Sequence, residues 1–187
     1  VIWKNKGKRP DIIIGTYSSA DGNHEMHNDT SDMLTYVISV DGHGKTNWVR
    51  RMGKYYTGVG VLLGNLDSDG RQYLYAHKFT SSKLREDDGG IYKISKSGKI
   101  LQRFDTQNSI LSVAVTSPAA DRAESFYAAD NRLNLYRLDG RLNLLQKKAL
   151  QASSAAQEIR IGGVHDYDGD GQNDLLLYSF ERLMNDK

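Results

Sequence analysis

Residues Val164–Tyr178 read VHDYDGDGQNDLLLY. Asp166, Asp168 and Asp170 fall on alternate residues, Gly171 comes next, and Asp174 stands just before an apolar run. A hard cation such as calcium takes six to eight oxygens, several of them anionic. With Asp166 as position 1, the aspartates occupy positions 1, 3, 5 and 9 of a loop, and the backbone carbonyl of Gln172 supplies position 7. Gly171 gives the backbone the freedom that a sharp turn needs. Four converging carboxylates repel one another unless a cation sits among them, so the spacing predicts a Ca2+ site. The plainer alternative is a solvated acidic turn.

The residues beyond the loop limit its class. An EF-hand needs a bidentate acid at position 12 and flanking helices. Here that position is Leu177, and the segment after Asp174 is the strand-like LLLYSF. A dockerin-type loop fails on the same residue.

The loop also has a relative within the chain. Gly58–Phe79, GVGVLLGNLDSDGRQYLYAHKF, places Asn65, Asp67 and Asp69 at positions 1, 3 and 5, and Gly70 at the place of Gly171. Its ninth position is Tyr73, so this copy is weaker. Ile110–Asp130, ILSVAVTSPAADRAESFYAAD, keeps the strand–turn–strand rhythm without the acids. Lys8–Tyr17, KRPDIIIGTY, reads as the tail of a further copy, with Asp11 in the place of Asp174. Between these lie hairpin signatures: Tyr36–Trp48 (YVISVDGHGKTNW), Gly90–Phe104 (GIYKISKSGKILQRF) and Leu133–Gln146 (LNLYRLDGRLNLLQ). Each is an alternating strand, a turn with Asp-Gly or Ser-Gly, and a second strand.

The resulting period is about 50 residues with four short strands per unit, the pattern of a β-propeller blade. The expected fold is therefore all-β, a propeller or partial propeller of about four repeats of four antiparallel strands. The repeats fall roughly at 1–56, 57–109, 110–157 and 158–187, within one domain. The first and last are expected to be incomplete, with a partial blade up to Arg51 and two strands from Glu158. Open edges of this kind offer a route to self-association. No helix longer than about two turns is expected, although DLLLYSFERLMND would tolerate one across Leu175–Asn185 on propensity.

The loop Asp-x-Asp-x-Asp-Gly-x-x-Asp at Asp166–Asp174 resembles the FG-GAP or VCBS repeat of integrin-like propellers. The resemblance implies calcium loops that join the first and second strands of a blade and stiffen it. It assigns Asp166, Asp168, Asp170, Gln172 and Asp174 as metal ligands, and more weakly Asn65, Asp67, Asp69 and the carbonyl of Arg71. SVDGHGKTNW also looks like the quinoprotein type of propeller repeat. Only Trp3 and Trp48 are present, so a quinone cofactor is not supported.

Composition narrows the rest. The 187 residues carry a net charge of +2, too weak for a nucleic-acid partner. No run approaches the roughly 18 apolar residues of a membrane span. Cysteine is absent, which removes disulfides and thiolate metal sites. Eighteen glycines and eleven tyrosines against two prolines suit a sheet protein with tight turns. The start at Val1, without Met or a signal peptide, reads as a cut from a longer chain. DGHGKT resembles the end of a P-loop, but Ser39 stands where its first glycine belongs. HEMH (His24–His27) is one residue short of the zinc-protease motif and lies in a polar stretch.

Functional loops concentrate on one face of a propeller. Ser18–Met33 and Thr80–Gly90 are the long connections, and Arg50–Gly58 joins two repeats at the same end, opposite the calcium loops. This groups His24, His27, Arg50, Arg51, Lys54, Tyr55 and Tyr56 as ligand-face candidates, rich in the aromatic and arginine residues favoured at interfaces. The sequence points to a calcium-stabilised extracytoplasmic binding or adhesion module (periplasmic, secreted or cell-surface) for a protein or carbohydrate ligand. The alternatives are a polysaccharide lyase or hydrolase built on a propeller, supported by fold analogy alone, and the ligand-sensing ectodomain of a membrane receptor.

Overall fold

The computed structural model describes residues 1–3, 9–18, 25–27, 30–54, 56–66, 72–80, 89–116, 125–151 and 156–181. Every regular element among them is a β-strand. Accordingly, no helix among the described residues is long and apolar enough to cross a membrane. The strands are β1 (Ile2–Trp3), β2 (Asp11–Gly15), β3 (Thr35–Val40), β4 (Thr46–Gly53), β5 (Thr57–Leu66), β6 (Gln72–Thr80), β7 (Gly89–Ile94) and β8 (Ile100–Thr106). Then come β9 (Ile110–Val115), β10 (Ser125–Asp130), β11 (Asn134–Asp139), β12 (Leu144–Ala149), β13 (Ala156–His165) and β14 (Asp174–Glu181). They form antiparallel sheets in sequence order, β1–β4, β5–β8 and β9–β12 with four strands each, and β13–β14 with two. The chain divides into two compact units, Val1–Ser109 and Ile110–Lys187.

One turn design recurs between strands, and short polar side chains explain it. At the β3–β4 connection, Asp41 Oδ1 accepts from the backbone N–H groups of His43 and Lys45, each at 2.9 Å. Asp139 does the same for Arg141 and Asn143 between β11 and β12, at 2.8 Å. Ser95 Oγ accepts from Lys99 N at 3.1 Å between β7 and β8. The side chain thereby satisfies turn amides that the ladder leaves open. The fourth residue of each turn is left-handed: Gly44 and Gly98 at φ 86° and 78°, and Leu142 at φ 61°. Glycine adopts this region freely. Leu142 is held there with its side chain buried.

In the first unit, alternation along the strands puts Trp3, Ile13 and Val37 of the β1–β4 sheet on one face. That face packs against Val59, Leu74, Ala76, Tyr92 and Ile94 of the β5–β8 sheet, with Trp48 and Met52 closing the side. The two sheets are also joined by hydrogen bonds. Val59 N donates to Thr16 O at 3.0 Å and Ser18 N to Thr57 O at 2.9 Å. This close approach requires Gly15, because a Cβ there would collide with the Val59 carbonyl oxygen. At the far end, the Trp48 indole N–H donates to Lys96 O at 2.8 Å and its ring lies on Gly98. The Arg50 guanidinium donates to Gly98 O at 2.8 Å.

The first repeat is more complete than the sequence predicts. Ile2 and Trp3 pair with Ile12 and Asp11, giving the sheet a fourth strand. Two residues are too short a run to read as a strand by pattern. The reciprocal bonds Ile13 N to Val1 O (2.7 Å) and the Val1 ammonium to Ile13 O (2.9 Å) extend the pairing.

In the second unit, the buried residues include Ile110, Phe126, Ala128, Tyr136, Leu138 and, from β13, Ile159 and Ile161. Ile161 N donates to Ser112 Oγ at 2.9 Å, tying β13 to β9. Asp130 is fully buried at the β10–β11 turn. Its carboxylate accepts from Arg132 N, Asn134 N, Asn134 Nδ2 and the Tyr136 hydroxyl, all at 2.8 Å.

Candidate metal centre

The acidic loop connects β13 to β14. Its base is the pair His165–Asp174, the last rung of the antiparallel ladder. The chain reverses through Gly169 and Gly171 at φ 80° and 81°, and a Cβ at either would meet nothing within 4 Å. Backbone conformation, and not crowding, is therefore what calls for glycine here.

The aspartates fold the loop by accepting from its own amides. Asp166 takes Gly169 N through Oδ1 at 2.7 Å and Gly171 N through Oδ2 at 2.9 Å. Asp174 Oδ2 takes Tyr167 N at 3.0 Å, and Asp168 Oδ1 takes Asp170 N at 3.1 Å. These bonds turn Asp166, Asp168 and Asp174 inward, and each offers an oxygen within 4.8 Å of the others. Asp166 and Asp174 are half-buried and Asp168 is exposed. Three anionic oxygens this close repel by roughly 1 to 4 kcal/mol per pair, for effective dielectric constants from water down to about 20. Oxygens bound at about 2.3–2.6 Å from one centre lie at most about 5 Å apart, so the triad fits the coordination sphere of one calcium ion.

Asp170 takes a different part. Its Oδ1 accepts from Gln172 N at 2.7 Å and its Oδ2 from Gln172 Nε2 at 2.9 Å. Of the five expected ligands, then, three carboxylates converge, while the Asp170 carboxylate accepts from the Gln172 N–H groups, bonds that do not involve the Gln172 carbonyl expected as a ligand. Spacing shows which residues can face one centre, and local hydrogen bonds decide which do.

The second, weaker loop can be placed only in part. Asn65 lies on β5, near the register shift after Leu63. Its side chain, together with Asp67, Asp69 and Arg71, lies outside the described residues.

Of the ligand-face candidates, His24 and Tyr55 are likewise outside the described residues. His27 is exposed, with Nε2 at 3.2 Å from Glu25 Oε2. Arg50 and Arg51 are consecutive on β4, opposite Val37 and Tyr36, so their side chains leave on opposite faces. Arg50 is engaged at Gly98, in the contact between the two sheets. The Lys54 carbonyl accepts from Thr35 Oγ1 at 3.4 Å and also from Thr57 Oγ1. Tyr56 adopts φ 60° beside it, its N–H donating to Ser18 O at 2.8 Å.

The Asp130 network matches no metal or catalytic motif, yet its signal is in the sequence. DNRLN at 130–134 and DGRLN at 139–143 are spellings of one turn. Both place leucine at φ 61°. No family model matches this chain, and no curated protein is similar to it in sequence.

Proposed function

We propose that this protein is a calcium-stabilised binding module of propeller type that works outside the cytoplasm, with a protein or carbohydrate as ligand. The observation behind this reading is the convergence of the Asp166, Asp168 and Asp174 oxygens within 4.8 Å at a hairpin turn. A cation there would tie together the ends of β13 and β14 beyond the last ladder pair, His165–Asp174. The repeated four-stranded antiparallel meander supports the propeller part of the proposal. Low-affinity calcium loops fill only where calcium is abundant, which favours an extracellular setting.

The test is calcium titration by calorimetry after chelation, with melting measured in parallel. Extracellular calcium modules bind with dissociation constants of about 10⁻⁴–10⁻³ M. Calcium at 100 times the dissociation constant would stabilise the fold by about 2.7 kcal/mol, a shift of roughly 5–10 °C for a chain of this size. Asp174→Asn removes a converging ligand and should abolish the shift. Asp170→Asn should leave most of it, because that side chain is turned to Gln172. A melting temperature indifferent to calcium and chelator would reduce the loop to an acidic turn.

A further inference from the structure

The positive charge of this nearly neutral chain is concentrated in one sheet of the second unit. Residues 130–151 hold five cations, Arg132, Arg137, Arg141, Lys147 and Lys148, against Asp130 and Asp139, which makes +3 where the whole chain has +2. Both acids are already committed. Asp130 is buried in its hydrogen-bond network, and the Asp139 carboxylate accepts from Arg141 N, Asn143 N and Asn143 Nδ2. All five cations are exposed.

The strand register sets these cations in a row. β12 is the outermost strand of the β9–β12 sheet, and every one of its residues is exposed. Lys148 stands opposite Leu135 and Lys147 opposite Tyr136, while Arg137, the next residue of β11, is opposite Gln146. Opposed residues share a face and successive ones alternate. Arg137 and Lys148 therefore lie on one face, and Lys147 on the other, its Nζ 5.4 Å from the Tyr136 ring centre. Arg132 and Arg141 sit in the turns at the two ends of β11. The row thus runs the length of this strand, about 20 Å.

The outer strands of the other complete sheets are different. The one cation of β8, Arg103, is paired with Asp105 at 3.0 Å, and Arg50 of β4 donates to Gly98 O. Among the described residues, none of Arg137, Arg141, Lys147 and Lys148 forms an ion pair. Lysine on an edge strand also discourages edge-to-edge pairing. That role does not account for Arg132, Arg137 and Arg141, which lie off the edge strand.

We propose that this row binds a linear anionic polysaccharide, a polymer whose sugars carry carboxylate or sulfate groups. The proposal takes its choice of a carbohydrate from the binding role proposed above, and it makes no use of the calcium site. Charge complementarity selects the anion. The shape of the row selects a linear polymer, because cations spaced along a strand meet successive charges of an extended chain. Each exposed contact contributes little alone, so binding needs several of them together. Nucleic acid fits less well. The only aromatic residue of β11 and β12 is Tyr136, which is buried, so these strands offer bases no ring to stack on.

Calorimetric titration of the whole chain with dextran sulfate, polygalacturonate and neutral dextran tests this. It is run in chelator, so that neither the acidic loop nor calcium cross-linking of the polymer contributes. At least one anionic polymer should bind and neutral dextran should not; the two anionic arms tell sulfate from carboxylate. Lys147→Glu/Lys148→Glu should weaken binding about tenfold or more. Lys45→Glu/Lys99→Glu, the same change of charge on turns of the first unit, should alter it less than about twofold. Far-UV circular dichroism checks that the strands persist. If the glutamates unfold the second unit, Lys147→Gln/Lys148→Gln replace them, with binding again expected to fall. No binding of either anionic polymer at low salt would overturn the proposal. So would equal weakening by the two lysine pairs, which would reduce the row to net charge. Equal affinity for polyglutamate or single-stranded DNA would overturn it too, by removing the carbohydrate. A chain that binds calcium but no polyanion fails this proposal alone, and one that binds polyanion but no calcium fails only the metal reading.

Discussion

Asp130→Ala should be among the most damaging single changes in the second unit, and its cost can be worked from its surroundings. The fully buried carboxylate accepts four hydrogen bonds at 2.8 Å, two from turn amides and two from the side chains of Asn134 and Tyr136. Hydrogen bonds to a charged group contribute about 1.5–3 kcal/mol each. They are not additive, and the turn amides can recover water. The Tyr136 hydroxyl is buried and loses this acceptor outright. Breaking such a network costs about 3–5 kcal/mol. Asp139 supplies an internal control, because it makes the same turn with Arg141 and Asn143 in a more open position. Asp139→Ala should cost only about 1 kcal/mol, the ordinary net value of a local hydrogen bond. Asp130→Asn should fall between them, since one amide oxygen can serve the backbone donors while its NH2 group faces the donor of Asn134. Urea unfolding by far-UV circular dichroism would rank the three variants, and hydrogen exchange on β10 and β11 would place the loss in the second unit. If Asp130→Ala costs no more than Asp139→Ala, burial adds nothing to this turn and the reasoning fails.

Two further outcomes come from the turns. The Asp41 carboxyl is held below its ordinary value of 3.8 by the amides of Lys45 and His43. At Asp139 burial pushes upward but is outweighed by the Asn143 side chain and the Asn143 and Arg141 amides, so it too is lowered from 3.8. Lowered folded-state values mean that the unfolded chain binds the proton first, so this part of the stability is present above pH 3.8 and is lost as the pH falls through the folded values. Asp139→Asn should flatten the acid limb of a urea-midpoint-versus-pH profile, and an unchanged limb would remove Asp139 from it. Gly98→Ala should destabilise the first unit by about 1–3 kcal/mol, because Gly98 sits at φ 78° and the new Cβ would fall 2.6 Å from the Trp48 ring. A shifted Trp48 fluorescence maximum would accompany the loss, and an unshifted spectrum at wild-type stability would contradict the docking of Trp48 on that turn.

Local chemistry settled much of this protein before any packing was considered. Alternation and Asp-Gly or Ser-Gly turns are short-range properties, so the hairpins at Asp41, Ser95 and Asp139 could be read from a few residues each. The acidic turn likewise announced itself as a link between two strands, β13 and β14, rather than between helices. Tertiary structure decided what such windows cannot contain. Ile2–Trp3 is a strand only because β2 is there to pair with it. Asp166 and Asp170 are equivalent by spacing, yet Gly169 and Gly171 draw the first inward while Gln172 holds the second. Asp130 and Asp139 sit in near-identical pentapeptides, and only the packing around Tyr136 makes the first a buried side chain. LLLYSF is apolar on both sides, so the sequence offers no means to say that Leu176, Tyr178 and Phe180 would face outward. The cause is common to all of these cases: hydrogen-bond and turn preferences act over a few neighbouring residues, whereas burial depends on what distant strands bring to each face.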